Sequence, residues 1–187
     1  ATEALILSCM IDANEGRDVA TCDIPGAFMQ SKMEGKVIMK LEGVMVDIIS
    51  KIDPSQYEKY IVYERGKPVI YVILRKALYG TLQAALLFWE NLSSQLQEWG
   101  FEINPYDFCV ANKMIDGKQC TIAWYIDNNK ISHMDEQVVT GVLERIKERF
   151  GKMTVTWRKE HIVLGMGIEF QDGKASIKMK DYTEEAI

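Results

Sequence analysis

The sequence predicts one α+β domain in which helices cover one face of an antiparallel sheet. Its length of 187 residues and its hydrophobic content of 48% suit a single domain with a proper core. Apolar strand patterns alternate with helical ones over residues 18–24, 81–99, 107–126, 135–150 and 154–156. This βαββαβ order is typical of a ferredoxin-like sheet that leaves its second face free.

The first third of the chain contains shorter predicted elements. Helical spacing after Thr2 predicts a helix over residues 2–15, and the strand over 18–24 ends at the turn Pro25-Gly26. The elements predicted next are a strand over 37–41, an amphipathic helix over 43–52, and a hairpin of 60–64 with 68–75.

The longest predicted helix covers about 81–99, with Thr81 as its N-cap and Gly100 after its end. We expect its apolar stripe to face the core: Leu82, Ala85, Leu86, Trp89, Leu92 and Leu96. The later predicted elements are a hairpin of 107–114 with 119–126, a helix from Asp135 to about Phe150, strands over 154–156, 162–170 and 175–179, and a helix that begins near Tyr182.

Composition restricts the functional classes. No apolar run reaches the roughly 18 residues needed to span a bilayer, so no membrane partner is expected. The four cysteines form no C-x-x-C pair and have no nearby histidine, which argues against a zinc site. The formal net charge of −5 argues against a protein that tracks a phosphate backbone.

Two aspartates stand where apolar strands end. Asp23 precedes the turn Pro25-Gly26, and Asp127 follows the strand that ends at Ile126. If the two strands are neighbours, two carboxylates converge at one end of the sheet, as in sites that hold Mg²⁺ against phosphates. The alternative is that each aspartate merely initiates a turn.

Four segments that contain these aspartates occur in a fixed order: residues 23–28 (DIPGAF), 76–84 (KALYGTLQA), 125–128 (YIDN) and 164–166 (LGM). Together they resemble the reverse transcriptase of Ty1/copia-type LTR retrotransposons, whose motifs read roughly D-x-x-x-A-F, L-Y-G-L-x-Q-A, Y-V-D-D and F-L-G-I/M. The flanking sequences are most similar to copia-like elements of diatoms and other algae. The resemblance implies a polymerase palm over residues 1–187, with a fingers-like insertion at about 30–80.

The resemblance also implies a catalytic site. Asp23 and Asp127 would bridge two Mg²⁺ (or Mn²⁺) ions, and the backbone carbonyl of Ile24 would hold the ion on the nucleotide side. Asn128 stands where the family has a second aspartate in the turn. Because asparagine has the same shape without the charge, we expect weaker ion coordination and impaired chemistry at this catalytic position.

Four further residues are implied to contact the nucleotide. Phe28 would lie beneath the incoming sugar and exclude a 2′-hydroxyl, Tyr79 and Gly80 would lie under the templating base pair, and Gln83 would offer its amide. The alternatives are a core aromatic for Phe28 and a solvated first-turn helix residue for Gln83.

The last motif resembles the primer grip, in which a backbone turn holds the primer 3′ end. Leu164, Gly165 and Met166 would form this turn. His161 lies just before it and is expected to bind a phosphate or to make a structural hydrogen bond, since no second histidine or cysteine lies near it in sequence.

The implied function is an RNA-directed DNA polymerase that binds an RNA/DNA template-primer and dNTPs. By resemblance, the chain is a piece of a larger polyprotein whose RNase H and integrase regions are absent here, or a decayed copy, and it acts in cytoplasmic virus-like particles or in the nucleus. Two alternatives stay open: a non-catalytic derivative that serves as a binding or assembly module, and another palm-fold nucleotidyl enzyme such as a cyclase.

Overall fold

A computed structural model describes residues 2–157 and 159–179. In these ranges the α-helices are α1 (Thr2–Glu15), α2 (Val44–Ile52), α3 (Pro54–Tyr57), α4 (Ala84–Glu98) and α5 (Glu136–Phe150). The strands are β1 (Asp18–Asp23), β2 (Ile38–Glu42), β3 (Val62–Glu64), β4 (Lys67–Ile73), β5 (Glu102–Ile103), β6 (Val110–Ile115), β7 (Lys118–Tyr125), β8 (Asn128–His133), β9 (Thr154–Thr156), β10 (Glu160–Val163), β11 (Met166–Gln171) and β12 (Lys174–Lys178). The helix predicted near Tyr182 lies outside the described residues.

The central sheet has six strands in the order β5-β6-β7-β8-β1-β9, and every neighbouring pair is antiparallel. In chain order, β1, α4, β7, β8, α5 and β9 form a βαββαβ unit. Within the sheet these four strands lie in the order β9-β1-β8-β7. Numbered along the chain, this is the order 4-1-3-2, which is the ferredoxin-like arrangement. The structure therefore confirms the predicted α+β fold.

One face of this sheet packs against α4 and α5. The main core cluster joins Cys22 of β1, Ile122 of β7 and Ile131 of β8 to Leu92 of α4 and Ile146 of α5. Side chains alternate between the two faces of a strand, so Thr21 and Asp23 lie on the opposite face of β1 from Ala20 and Cys22. The Asp23 side chain thus lies on the face of β1 away from the main core.

The expectation of a free second face is wrong for part of the sheet. Val110 of β6 and Ala123 of β7 lie on that face and are buried in a second cluster, whose other buried members come from α1, β10 and β11: Leu5, Cys9, Val163, Met166 and Ile168. The elements α1, β10 and β11 cover this part of the sheet because burying its apolar side chains stabilises the fold.

A smaller sheet lies between β1 and α4 in the sequence. Its strands have the order β2-β4-β3, and Leu41, Val46 and Ile70 form a separate buried cluster beside α2. This unit falls within the segment of about 30–80 for which a fingers-like insertion is expected, and that role stays a prediction. No helix in the described ranges is long and apolar enough to cross a membrane.

The predicted apolar stripe of the longest helix is confirmed at Leu92 and Leu96 and wrong nearer the start of the helix, where Leu82 and Ala85 are exposed. Leu86 is 55% exposed and Trp89 is half-buried, whereas the buried residues of α4 are Ala84, Leu87, Phe88, Leu92, Ser93 and Leu96. Two apolar stripes overlap on this helix, and the stripe that contains Phe88 packs inward. The Phe88 ring packs edge-on against Phe28 and Phe150, with ring centroids 6.5 and 6.1 Å apart. The Thr81 hydroxyl donates to the Leu78 carbonyl (2.8 Å) instead of capping α4.

Trp89→Ala is therefore expected to cost about 1–3 kcal/mol, below the roughly 3–5 kcal/mol of a fully buried tryptophan. The loss would come from a partly exposed ring that lies edge-on to Phe108 and donates its Nε1–H to the Phe108 carbonyl (2.8 Å). Urea unfolding measures it, with Leu86→Ala as a control that should change stability by less than about 0.5 kcal/mol. A Leu86→Ala loss as large as that of Trp89→Ala would contradict the observed helix phase.

Candidate active site

The two aspartates singled out in the sequence meet at one end of the central sheet. Asp23 is the last residue of β1 and is paired in register with Asn128, the first residue of β8. The Ile24 amide donates to the backbone carbonyl of Asp127 (3.1 Å), which joins the end of β1 to the β7–β8 turn. The structure thus brings Asp23 and Asp127 to one end of the sheet, although β8 lies between β1 and β7, the strand that precedes Asp127.

The turn that presents Asp127 is tight and unusual. Tyr125 and Asn128 are paired across β7 and β8, so Ile126 and Asp127 form a two-residue hairpin turn. Ile126 has φ +55°, an uncommon conformation for a β-branched residue. The buried Asn129 side chain supports the turn by donating its amide to the Asp127 carbonyl (2.9 Å). Sequence reasoning missed this role, although an Asn bonding backbone two residues away is a known turn device.

The site is electrostatically suited to a cation. Both carboxylates are partly exposed, and the pKa of Asp23 is raised by desolvation and by the negative charge of Asp127. A divalent ion would relieve this repulsion, and carboxylate oxygens are the ligands that Mg²⁺ prefers. Across residues 2–157 and 159–179, no group of three or more His, Cys, Asp or Glu side chains forms a metal site. The two carboxylates fit the ion, with Ile24 able to add only a backbone carbonyl.

Asp127 already has two side-chain partners. The Tyr79 hydroxyl donates to Asp127 Oδ2 (2.7 Å), and the Asn128 amide donates to Oδ1 (3.2 Å). Sequence reasoning assigned Tyr79 a stacking role only. Its bond to Asp127 joins residues 48 positions apart, a contact that no local pattern shows.

This bond should be visible in a titration. The hydrogen bond to Asp127, with burial and the two nearby carboxylates, raises the pKa of Tyr79 from 10.0 to about 12. The folded chain should keep this proton between pH 10 and about 12 while the unfolded chain loses it, so the bond stabilises the fold below pH 10 and is lost as pH approaches 12. Absorbance at about 295 nm, read as the difference from Tyr79→Phe, measures it. Asp127→Asn should move the step back toward 10, and a step already at 10 in the unaltered chain would contradict the bond.

The aromatic residues lie beside this carboxylate. Phe28 is 6% exposed in the short 3₁₀ turn Ala27–Gln30, and its ring packs on Tyr79 with centroids 4.1 Å apart. Gly80 follows with φ +91° and open space around the position of a Cβ, which permits close approach of another molecule. Gln83 is exposed just before α4. The structure thus brings Phe28 and Tyr79 to the aspartates.

The primer-grip-like motif is a hairpin turn between β10 and β11. Leu164 and Gly165 both have positive φ (56° and 72°), and Met166 is buried in the second cluster. Leu164 lines the same small cleft as Tyr125, close in sequence to Asp127. His161 is 2% exposed and shares a hydrogen bond with the Thr21 hydroxyl (3.1 Å), so its ring joins β10 to β1.

The chain is similar to proteins that are already known. Two solved structures similar to the chain are the apo telomerase of Candida tropicalis truncated from its C-terminal domain and the telomerase of Candida albicans with a TWJ fragment of telomeric RNA. Each is 9% identical with a TM-score of 0.49 over 94% of this chain, which spans 39% and 35% of their lengths. No curated protein matches the sequence. The family model described as reverse transcriptase (RNA-dependent DNA polymerase) matches residues 2–187, and the chain therefore belongs to this family.

Proposed function

We propose that the chain is the palm and part of the fingers of a copia-type reverse transcriptase, an RNA-directed DNA polymerase weakened by Asn128. The observation that carries the proposal is the meeting of Asp23 and Asp127 at the ends of adjacent strands in a chain of the reverse transcriptase family. Its substrates would be dNTPs on an RNA/DNA template-primer, in a cytoplasmic virus-like particle or the nucleus.

In this proposal Asp23 and Asp127 bind the divalent ions, and the Ile24 carbonyl adds a ligand on the nucleotide side. Bound Mg²⁺ or Mn²⁺ would activate the primer 3′-hydroxyl and neutralise charge on the triphosphate. The protein contributes mostly position and charge, since phosphoryl transfer needs little covalent help. The strained Ile126 and the buried Asn129 support this role because they hold the Asp127 turn in one conformation.

The residues around the carboxylates would orient the substrates. Phe28 supports Tyr79 from below, and the exposed Tyr79 ring offers a stacking face for the nucleotide. Gly80 leaves room for a backbone or base, and Gln83 offers an amide. The Leu164-Gly165 turn would hold the primer 3′ end, with Met166 anchoring the turn in the second cluster and His161 fixing β10 against β1.

A second candidate function is a non-catalytic derivative of the same fold that binds or assembles. Two observations favour it: the Asn128 amide occupies an oxygen of Asp127 where a carboxylate would add negative charge, and the net charge is −5. The two candidates differ in whether the intact chain makes any DNA.

Primer extension separates them. We expect weak incorporation of dTMP on poly(rA)/oligo(dT), stronger with Mn²⁺ than with Mg²⁺ because Mn²⁺ accepts looser geometry. Asp23→Asn should abolish it, while Asp172→Asn, a change of the same kind in the exposed turn between β11 and β12, should not. Incorporation that survives Asp23→Asn would contradict the proposed site, and retained template-primer binding without incorporation would favour the non-catalytic derivative.

A further inference from the structure

Both carboxylate oxygens of Asp127 accept hydrogen bonds from the chain itself. Tyr79 donates to Oδ2 at 2.7 Å and Asn128 donates to Oδ1 at 3.2 Å. Hydrogen bonds to a charged acceptor are about twice as strong as neutral ones. Each oxygen of the carboxylate that should receive a cation therefore already has a hydrogen-bond donor.

The two donors differ in how firmly they are held. The Phe28 ring beneath Tyr79 is buried, whereas Tyr79 itself is 55% exposed. The next residue is Gly80, at φ +91° with no atom near its Cβ position. The exposed Tyr79 ring thus packs on the buried Phe28 ring and is followed by Gly80, around which there is open space. Asn128, by contrast, is held in register by its pairing with Tyr125 and Asp23.

We propose that Tyr79 and Asn128 together weaken the binding of divalent ions to Asp127, because each donor competes with the ion for one carboxylate oxygen. This inference rests on the proposed function, because it concerns the ion site of that reaction. It gives Asn128 a role beyond that of a missing ligand: its N–H competes with the cation for the same oxygen. Tyr79 is accordingly a positioning residue that acts through Asp127, in addition to any stacking on a nucleotide.

The inference predicts an unusual direction of effect. Removing either donor should tighten ion binding, although neither change adds a ligand. A hydrogen bond to a charged group corresponds to roughly a ten-fold change in affinity or more. If Asn128 were only a vacated or a weak ligand, Asn128→Ala would leave the affinity unchanged or lower it.

The test is Mn²⁺ binding to the whole 187-residue chain without nucleic acid or nucleotide, with free Mn²⁺ measured by electron paramagnetic resonance. The variants are Tyr79→Phe, which keeps the ring on Phe28, and Asn128→Ala, which removes the amide without adding charge. Tyr125→Phe is the matched control, since it removes a hydroxyl on the same hairpin and leaves both hydrogen bonds to Asp127 in place.

We expect Tyr79→Phe and Asn128→Ala each to bind Mn²⁺ about ten-fold more tightly, with Tyr125→Phe unchanged. Unchanged or weaker binding in either variant overturns the inference. Equal tightening by Tyr125→Phe also overturns it, because the effect would then not depend on the bonds to Asp127. The proposed function would fail separately, if variants that bind Mn²⁺ as expected showed no primer extension.

Discussion

Replacing Asp12 by leucine is expected to lower the free energy of unfolding by about 3–5 kcal/mol. Asp12 on α1 and Lys130 on β8 form a buried ion pair in which Nζ donates to Oδ2, and the Arg17 guanidinium lies 3.8 Å from the other oxygen. In Asp12→Leu the Lys130 ammonium would be left buried beside an apolar side chain. An uncompensated buried charge is among the most destabilising changes that a single substitution makes.

Urea unfolding of three chains measures this effect. The double variant Asp12→Leu/Lys130→Met should recover most of the loss, because two apolar side chains of similar volume replace a pair that gains little over them. An Asp12→Leu chain as stable as the unaltered chain would show that the Asp12–Lys130 pair does not hold α1 on the sheet. A double variant no better than Asp12→Leu would assign the loss to packing or to the buried Arg17, which keeps its charge, and not to Lys130.

The second large effect concerns Asn128→Asp and metal ions. Without metal, the new carboxylate would lie beside Asp127 and across from Asp23, and the hydrogen bond that the Asn128 amide donates to Asp127 would be lost. Repulsion should therefore lower the melting temperature in EDTA, by about 3–6 °C. In Mn²⁺ the order should reverse, because ligand binding adds about 2.7 kcal/mol when free Mn²⁺ is about a hundred times Kd.

The matched control for this second effect is Asn129→Asp, which adds the same charge one residue further along β8, where the side chain is buried. It should destabilise the chain in EDTA without any rescue by Mn²⁺, since a buried charge lacks access to the ion. An Asn128→Asp chain that melts higher in EDTA and gains nothing from Mn²⁺ would show that the turn is structural and that Asn128 replaces no ligand.

Much of the fold can be predicted from local patterns. The apolar strands, the Asp-Gly turns and the helix N-cap at Asp135, whose side chain accepts from the Gln137 amide, are signals contained in a few residues. The element order implies the antiparallel βαββαβ arrangement. Asp23 ends β1 and Asp127 lies in the turn before β8, so the two residues meet at one end of the sheet because β8 pairs with β1.

Other features depend on contacts between distant residues. From the sequence, Lys130 is expected to be a polar residue after a turn, but in the structure it pairs with Asp12, which lies 118 positions away. The choice between the two apolar stripes of α4 depends on where Phe28 and Phe150 lie, and the tyrosine donor to Asp127 depends on the loop that precedes α4. No periodicity in the sequence encodes such choices, because tertiary packing decides between locally equivalent alternatives.

We propose that Asp23 and Asp127 form a polymerase site short of one carboxylate. The most direct test of this claim is dTMP incorporation by Asn128→Asp on poly(rA)/oligo(dT), beside Asn128→Asp/Asp23→Asn. We expect an increase on the order of 100-fold over the unaltered chain, as for restoring one electrostatic contact to a transition state, and its complete loss in the double variant. An Asn128→Asp chain that binds template-primer and Mn²⁺ but incorporates no more than the double variant would contradict the claim.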